Sequence, residues 1–267
     1  MRYKYSKNNI IKHFFNILPV KRAPIFLTFH NIEEKDLNWF RLFINLYQDR
    51  IKSIRYFHSE NINDSDIFLS FDDGFYSNYE VARNVLDQYD IKALFFVTYR
   101  FINLNIKESH DFANKNMYPQ RNISFSKEYK SMSWDNLKYL SDDGHEIGAH
   151  TMSHPNLRNL DSEAQYYEIR KVKDLLEYKL NINIQSFAYP FGSPSNIDHN
   201  SFKLVKAHYK YGFVNIRGSI SKSISDHLIL RQNIVPGMPL WLIDAIVNSK
   251  LDFFYRKHRK QLKKNMK

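Results

Sequence analysis

The sequence contains no cysteine in its 267 residues, which excludes disulfide staples and thiolate metal sites. Any bound metal must therefore use imidazole and carboxylate ligands. No uninterrupted apolar run approaches the roughly 18 residues that a membrane span requires. Ile10–Val20 follows basic residues but holds Lys12, His13 and Asn16, and no small-residue cleavage site comes after it. The expectation is a cytoplasmic protein. Pro/Gly/Ser-rich linkers and internal repeats are also missing, so one domain is expected. Acids are absent from both ends: residues 1–23 carry six basic side chains, and residues 256–267 carry seven. The formal charge of +11 is thus confined to the ends, and residues 24–255 are net −2. That distribution argues against nucleic acid as a partner, because such a partner requires a basic face on the folded body.

What is present is an alternation of short apolar runs with longer stretches of helical period, the pattern of an α/β fold with a mostly parallel sheet. Strands are expected at Pro24–Phe29, Asp66–Phe71, Ala93–Thr98, His145–Ala149, Gln185–Tyr189, Tyr211–Asn215 and Leu228–Val235. Helices are expected near 36–49, 77–89, 133–142, 161–180, 198–209 and 239–255. Residues 100–132 show no clear period, which fits either a binding loop or a poorly ordered insertion. The three parts expected are a basic extension (1–23), a catalytic domain (24–238) and an apolar helix with a basic tail (239–267).

Glycine is scarce, seven in all. Gly74, Gly144, Gly148 and Gly192 lie in or beside three segments that carry chemistry. Leu69-Ser70-Phe71-Asp72-Asp73-Gly74 is a strand running into two carboxylates; taken alone, it also reads as a solvated Asp-Gly turn. His150-Thr151-Met152-Ser153-His154-Pro155 offers two imidazoles four residues apart, or two unrelated surface histidines. Phe187-Ala188-Tyr189-Pro190-Phe191-Gly192 is a strand edge followed by a rigid turn. Considered together, His150, His154 and one Asp supply three protein ligands, the number typical of a catalytic metal site.

In order and placement these segments resemble the polysaccharide deacetylase family (NodB-homology, carbohydrate esterase family 4). TFHNI at 28–32 and LILRQNIV at 228–235 extend the resemblance. It implies a distorted (β/α)7-type barrel in a single domain with basic terminal extensions. It also implies hydrolysis of an N-acyl group, most simply acetyl, on an amino sugar of a bacterial surface polysaccharide or its precursor. Asp72 resembles the general base. Asp73, His150 and His154 resemble the ligands of a divalent ion, ordinarily zinc, and the Phe191 N–H would face the oxyanion. Tyr189, Pro190 and Trp241 are the candidate substrate contacts, with core packing the alternative for Trp241.

Two positions depart from the family's better-known branch. Ala188 stands where an Arg braces the base, and Leu230-Arg231 stands where a His serves as general acid. Arg231 is the candidate to brace Asp72. His30, at the end of the first strand, is the first candidate for the acid, and His227 is a weaker one. Rival functions are a deformylase, an enzyme acting on a lipid-linked sugar, and a non-catalytic glycan- or membrane-binding module. The basic C-terminal run fits peripheral contact with an anionic membrane or a solvated tail.

Overall fold

A computed structural model describes residues 15, 18–59, 62–119 and 124–266. Most of the basic N-terminal extension, including His13, lies outside the described residues, as do 120–123 of the aperiodic segment. All seven expected strands form: β1 Ile25–Phe29, β2 Ile67–Phe71, β3 Leu94–Val97, β4 Glu146–Ala149, β5 Ser186–Ala188, β6 Tyr211–Val214 and β7 Ile229–Asn233. Each pairs in parallel with its sequence neighbour, and β7 returns to β1, closing the barrel. This is a (β/α)7 fold.

The strands read as nearly continuous apolar runs because both faces are buried. Alternation along each strand sorts the side chains. Phe26, Phe68, Leu94, Phe96, Ala188, Phe213 and Ile229 form the inner cluster. Ile25, Leu27, Phe29, Ile67, Leu69 and Phe71 join the larger outer cluster beneath the helices.

The surrounding helices are α1 Leu37–Tyr47, α2 Tyr76–Asn84, α3 Ile106–Phe112, α4 Trp134–Asp142, α5 Ser162–Tyr166, α6 Val172–Leu180, α7 His199–His208, α8 Leu240–Val247 and α9 Arg256–Asn265. Three differ from expectation. The aperiodic segment contains α3, only seven residues long and therefore too short to show an amphipathic repeat; a capping box between Asn105 and Glu108 starts it. A π-helical turn, Tyr167–Lys171, joins α5 to α6 within the expected single helix. The expected helix over 239–255 stops at Val247, and Ser249 beyond it is left-handed (φ 57°). The basic run that follows forms α9, whose Leu262 is fully buried, so it is not a solvated tail.

Candidate active site

Asp72 follows β2 and continues the inward parity of Phe68 and Ser70, which aims its carboxylate into the barrel mouth. Arg231, fully buried on β7, donates to both carboxylate oxygens at 2.7 and 2.8 Å. Its Nη1 also reaches Thr28 Oγ1 and Ser70 Oγ at 3.1 and 3.2 Å. The guanidinium lies 5.1 Å from the centre of the Phe96 ring. Burial alone would raise the Asp72 pKa, but Arg231, His150 and His30 outweigh it and hold the carboxyl below its ordinary value. This fork closes inside the barrel, so Asp72 stays ionised despite being out of water.

Asp73 turns away from its neighbour because its backbone is left-handed (φ 78°). Its Oδ1 lies 3.4 Å from His154 Nε2 and 3.5 Å from His150 Nε2. That buried oxygen has no hydrogen-bond partner. The far side of each imidazole is tethered to a backbone carbonyl: His150 Nδ1 to Ala188 O at 2.8 Å, and His154 Nδ1 to Asn116 O at 3.0 Å. An Nδ1–H bound to a carbonyl leaves Nε2 as the lone-pair nitrogen, the tautomer that a metal ligand needs. Burial drives the His154 pKa down to about 4, so its Nε2 is unprotonated at neutral pH. Burial would also lower His150, but Asp73 and Asp72 hold it up. An orphaned, buried carboxylate oxygen facing two oriented imidazoles fits a divalent cation, with ligand atoms all within 4.8 Å of one another.

The loop between the two histidines is constrained at each residue. Thr151 and His154 are left-handed (φ 66° and 61°), and the Thr151 hydroxyl accepts from the His154 N–H at 2.9 Å. The buried Glu168 carboxylate takes the Ser153 N–H at 2.9 Å and its hydroxyl at 2.6 Å. Glu168 belongs to one π turn, and Asn116 belongs to another, Ala113–Met117. Both therefore brace the His154 loop, in keeping with the tendency of π turns to occur at functional sites. Neither Asn116 nor Glu168 was picked out from the sequence. One acts through a backbone carbonyl, and the other sits in a helix of ordinary composition.

Phe191 is left-handed as well (φ 58°), and its ring meets that of His154 edge-on at 4.7 Å. Gly192 beside it has φ 56°, and a Cβ there would come 2.3 Å from Asn215 N. The turn thus requires glycine for conformation and for space. His30 Nε2 lies 4.0 Å from Asp72 Oδ2 with about a third of its side chain exposed. His227 precedes β7, and its Nε2 is engaged by Tyr209 O at 3.1 Å, so it does not join the site.

One candidate substrate contact, Tyr189, is corrected. Tyr189 has outward parity, packs edge-on to Phe187 at 5.2 Å and is 1% exposed in the outer core. Trp241, half-buried at the start of α8, stacks on Phe15 at 6.1 Å. Pro190 is buried in the turn before Phe191 and accepts the Gly192 N–H through its carbonyl at 2.6 Å. A second acidic group, Asp87, Asp143 and His145, already contains a cation, because Lys92 Nζ is 2.6 Å from Asp143 and 3.2 Å from Asp87.

The polysaccharide deacetylase family model matches residues 59–212, more than half of the chain. The chain belongs to the polysaccharide deacetylase family. Among curated members it is 29% identical over 133 residues to the chitooligosaccharide deacetylase of Azorhizobium caulinodans, covering 49% of this chain and 50% of that one. It is 24% identical over 184 residues to YxkH of Bacillus subtilis, covering 68% of this chain and 56% of YxkH. The chain thus spans about half the length of the curated relatives it matches. The deacetylase PplD of Streptococcus pyogenes, solved with acetate, shares the fold with a TM-score of 0.61 at 20% identity, covering 86% of this chain and 99% of that one. A polysaccharide deacetylase of Bacillus cereus does so at 0.64 and 16%, covering 86% and 70%.

Proposed function

We propose that this member of the polysaccharide deacetylase family removes an N-acetyl group from an amino sugar of a bacterial surface polysaccharide or its precursor, in a metal-dependent reaction. The supporting observation is the divergence of two adjacent carboxylates: Asp72 is forked by Arg231, while Asp73 faces two imidazoles. Asp73, His150 and His154 would hold the ion, for which zinc suits the donor set. A divalent ion there would supply Lewis-acid polarisation of the acyl oxygen and acidify a water.

Asp72, kept ionised and off the ligand set, takes a proton from the attacking water as the water oxygen bonds to the acyl carbon. The Phe191 N–H donates to the oxygen that becomes negative. His30, at the exposed edge 4.0 Å from Asp72, protonates the nitrogen as the C–N bond breaks, leaving acetate and a free amine. Arg231 keeps the base oriented without touching substrate.

The test measures acetate release and bound metal together on a panel of N-acetylated amino sugars. Asp72→Asn should retain the metal and lose roughly 10²–10⁴-fold in kcat. His150→Ala should lose the metal. Full activity in Asp72→Asn would remove Asp72 as the base.

A further inference from the structure

The described residues place two exposed aromatic rings directly ahead of a helix whose solvent side carries only positive charge. Phe253 and Phe254, in the turn Asp252–Tyr255, are 73% and 56% exposed and stand directly ahead of α9. Phe254 meets Phe15 edge-on at 6.5 Å, and Phe15 stacks on Trp241. In sequence, Phe15 follows Arg2, Lys4, Lys7 and Lys12 with no acid among them. The stretches leading into this patch from both ends are therefore basic.

The helix itself is two-sided. Tyr255, Arg259, Leu262 and Met266, spaced four, three and four residues apart, form its docked face. Arg259 donates to Arg217 O at 2.7 Å and Asp252 O at 2.8 Å, and Asn265 donates to Pro194 O at 2.6 Å. At about 100° per residue, Lys257, Lys260 and Lys264 fall on the opposite side, with Arg256 and Lys263 on its flank. All five are exposed, and no acid occurs in the sequence after Asp252. Asp252 is itself buried and satisfied by Lys222 and Gln232 at 2.6 and 2.9 Å.

Lysines alone would suit any polyanion. Two adjacent exposed phenylalanines beside them suit an apolar phase lying behind an anionic layer. We propose that the solvent face of α9, with Phe253 and Phe254, docks on an anionic lipid bilayer. The loop around Pro194 follows Phe191-Gly192, and that around Arg217 follows β6; both leave C-terminal strand ends. The docked face of α9 therefore meets loops that leave the C-terminal ends of β5 and β6.

The test is co-sedimentation of the full chain with phosphatidylcholine vesicles, with and without phosphatidylglycerol, as salt is raised. Binding should require phosphatidylglycerol and weaken with salt. The triple variant Lys257→Gln/Lys260→Gln/Lys264→Gln should bind roughly a hundredfold more weakly. Phe253→Ser/Phe254→Ser, at exposed positions, should keep the circular dichroism of the parent and lose the salt-resistant part of binding. Equal binding to both vesicle types would overturn the proposal. So would undiminished vesicle binding by the phenylalanine variant, which would show that the two rings take no part in docking.

Discussion

Arg231 is fully buried inside the barrel and bonds Asp72, Thr28 and Ser70 there. It supplies the positive charge beneath Asp72, and an ion pair broken by removing one member costs roughly 3–5 kcal/mol when buried. Arg231→Met should therefore lower stability by that order in urea unfolding. In whatever folds, the Asp72 pKa should rise, moving the acid limb of kcat/KM to higher pH; an unmoved limb would argue that Arg231 does not set the base. Arg231→Lys should rescue little, because an ammonium cannot fork a carboxylate. His145 offers a second test at this scale. Burial lowers its pKa from 6.5 to about 4, with Lys92 adding to the effect. The folded state then binds fewer protons than the unfolded chain between those values. Its contribution is present above pH 6.5 and is lost as pH falls towards 4, on the order of 3 kcal/mol. Urea unfolding at neutral and mildly acidic pH should show the loss, and His145→Asn should flatten it.

At the scale of elements, the two π turns converge on the His154 loop. One brings Asn116 O and the other the Glu168 carboxylate to the same loop. Glu168→Gln keeps the shape but weakens the charge-assisted bonds to Ser153. It should reduce metal affinity about 10–100-fold, read by competition with a chelating dye, with little change in metal-free stability. An unchanged affinity would make Glu168 a packing residue. Strand β4 carries a comparable constraint: a Cβ at Gly148 would sit 2.5 Å from Phe96, whose ring underlies Arg231. Gly148→Ala should cost roughly 1–3 kcal/mol by thermal melting, because the ring must leave its position.

For the whole molecule, the seven parallel strands bring chain positions 72, 150, 191 and 231 to one rim. A metal that binds only the folded state should stabilise it by about 2.7 kcal/mol at a hundredfold excess over its Kd. Chelation should accordingly lower the melting temperature, and His150→Ala should be insensitive to it; equal responses would mean that the metal binds elsewhere. Among the described residues no helix is long and apolar enough to cross a membrane.

The strands, their order and the Asp-Asp and His-x-x-x-His segments were legible because they are local: an apolar run of five or six residues specifies a buried strand without reference to the rest of the chain. Period-two alternation would also have placed Tyr189 outside with Phe187, so that correction was available in the sequence. Asn116 and Glu168 were not, since a carbonyl has no sequence signature and a π turn leaves no period. The helical state of the basic run was hidden too, because its docked face is only Tyr255, Arg259, Leu262 and Met266.

The sequence by itself determined the run of parallel strands and the residue types of the candidate site. Only the tertiary structure decided which partner each took. Asp72 and Arg231, 159 positions apart in sequence, meet in a two-bond fork when β7 closes against β1. Likewise, four left-handed residues, Asp73, Thr151, His154 and Phe191, are held in strained backbone that no isolated segment would adopt. Closure and strain are sustained by the packing of the whole, which is why neither could be read from a stretch of chain.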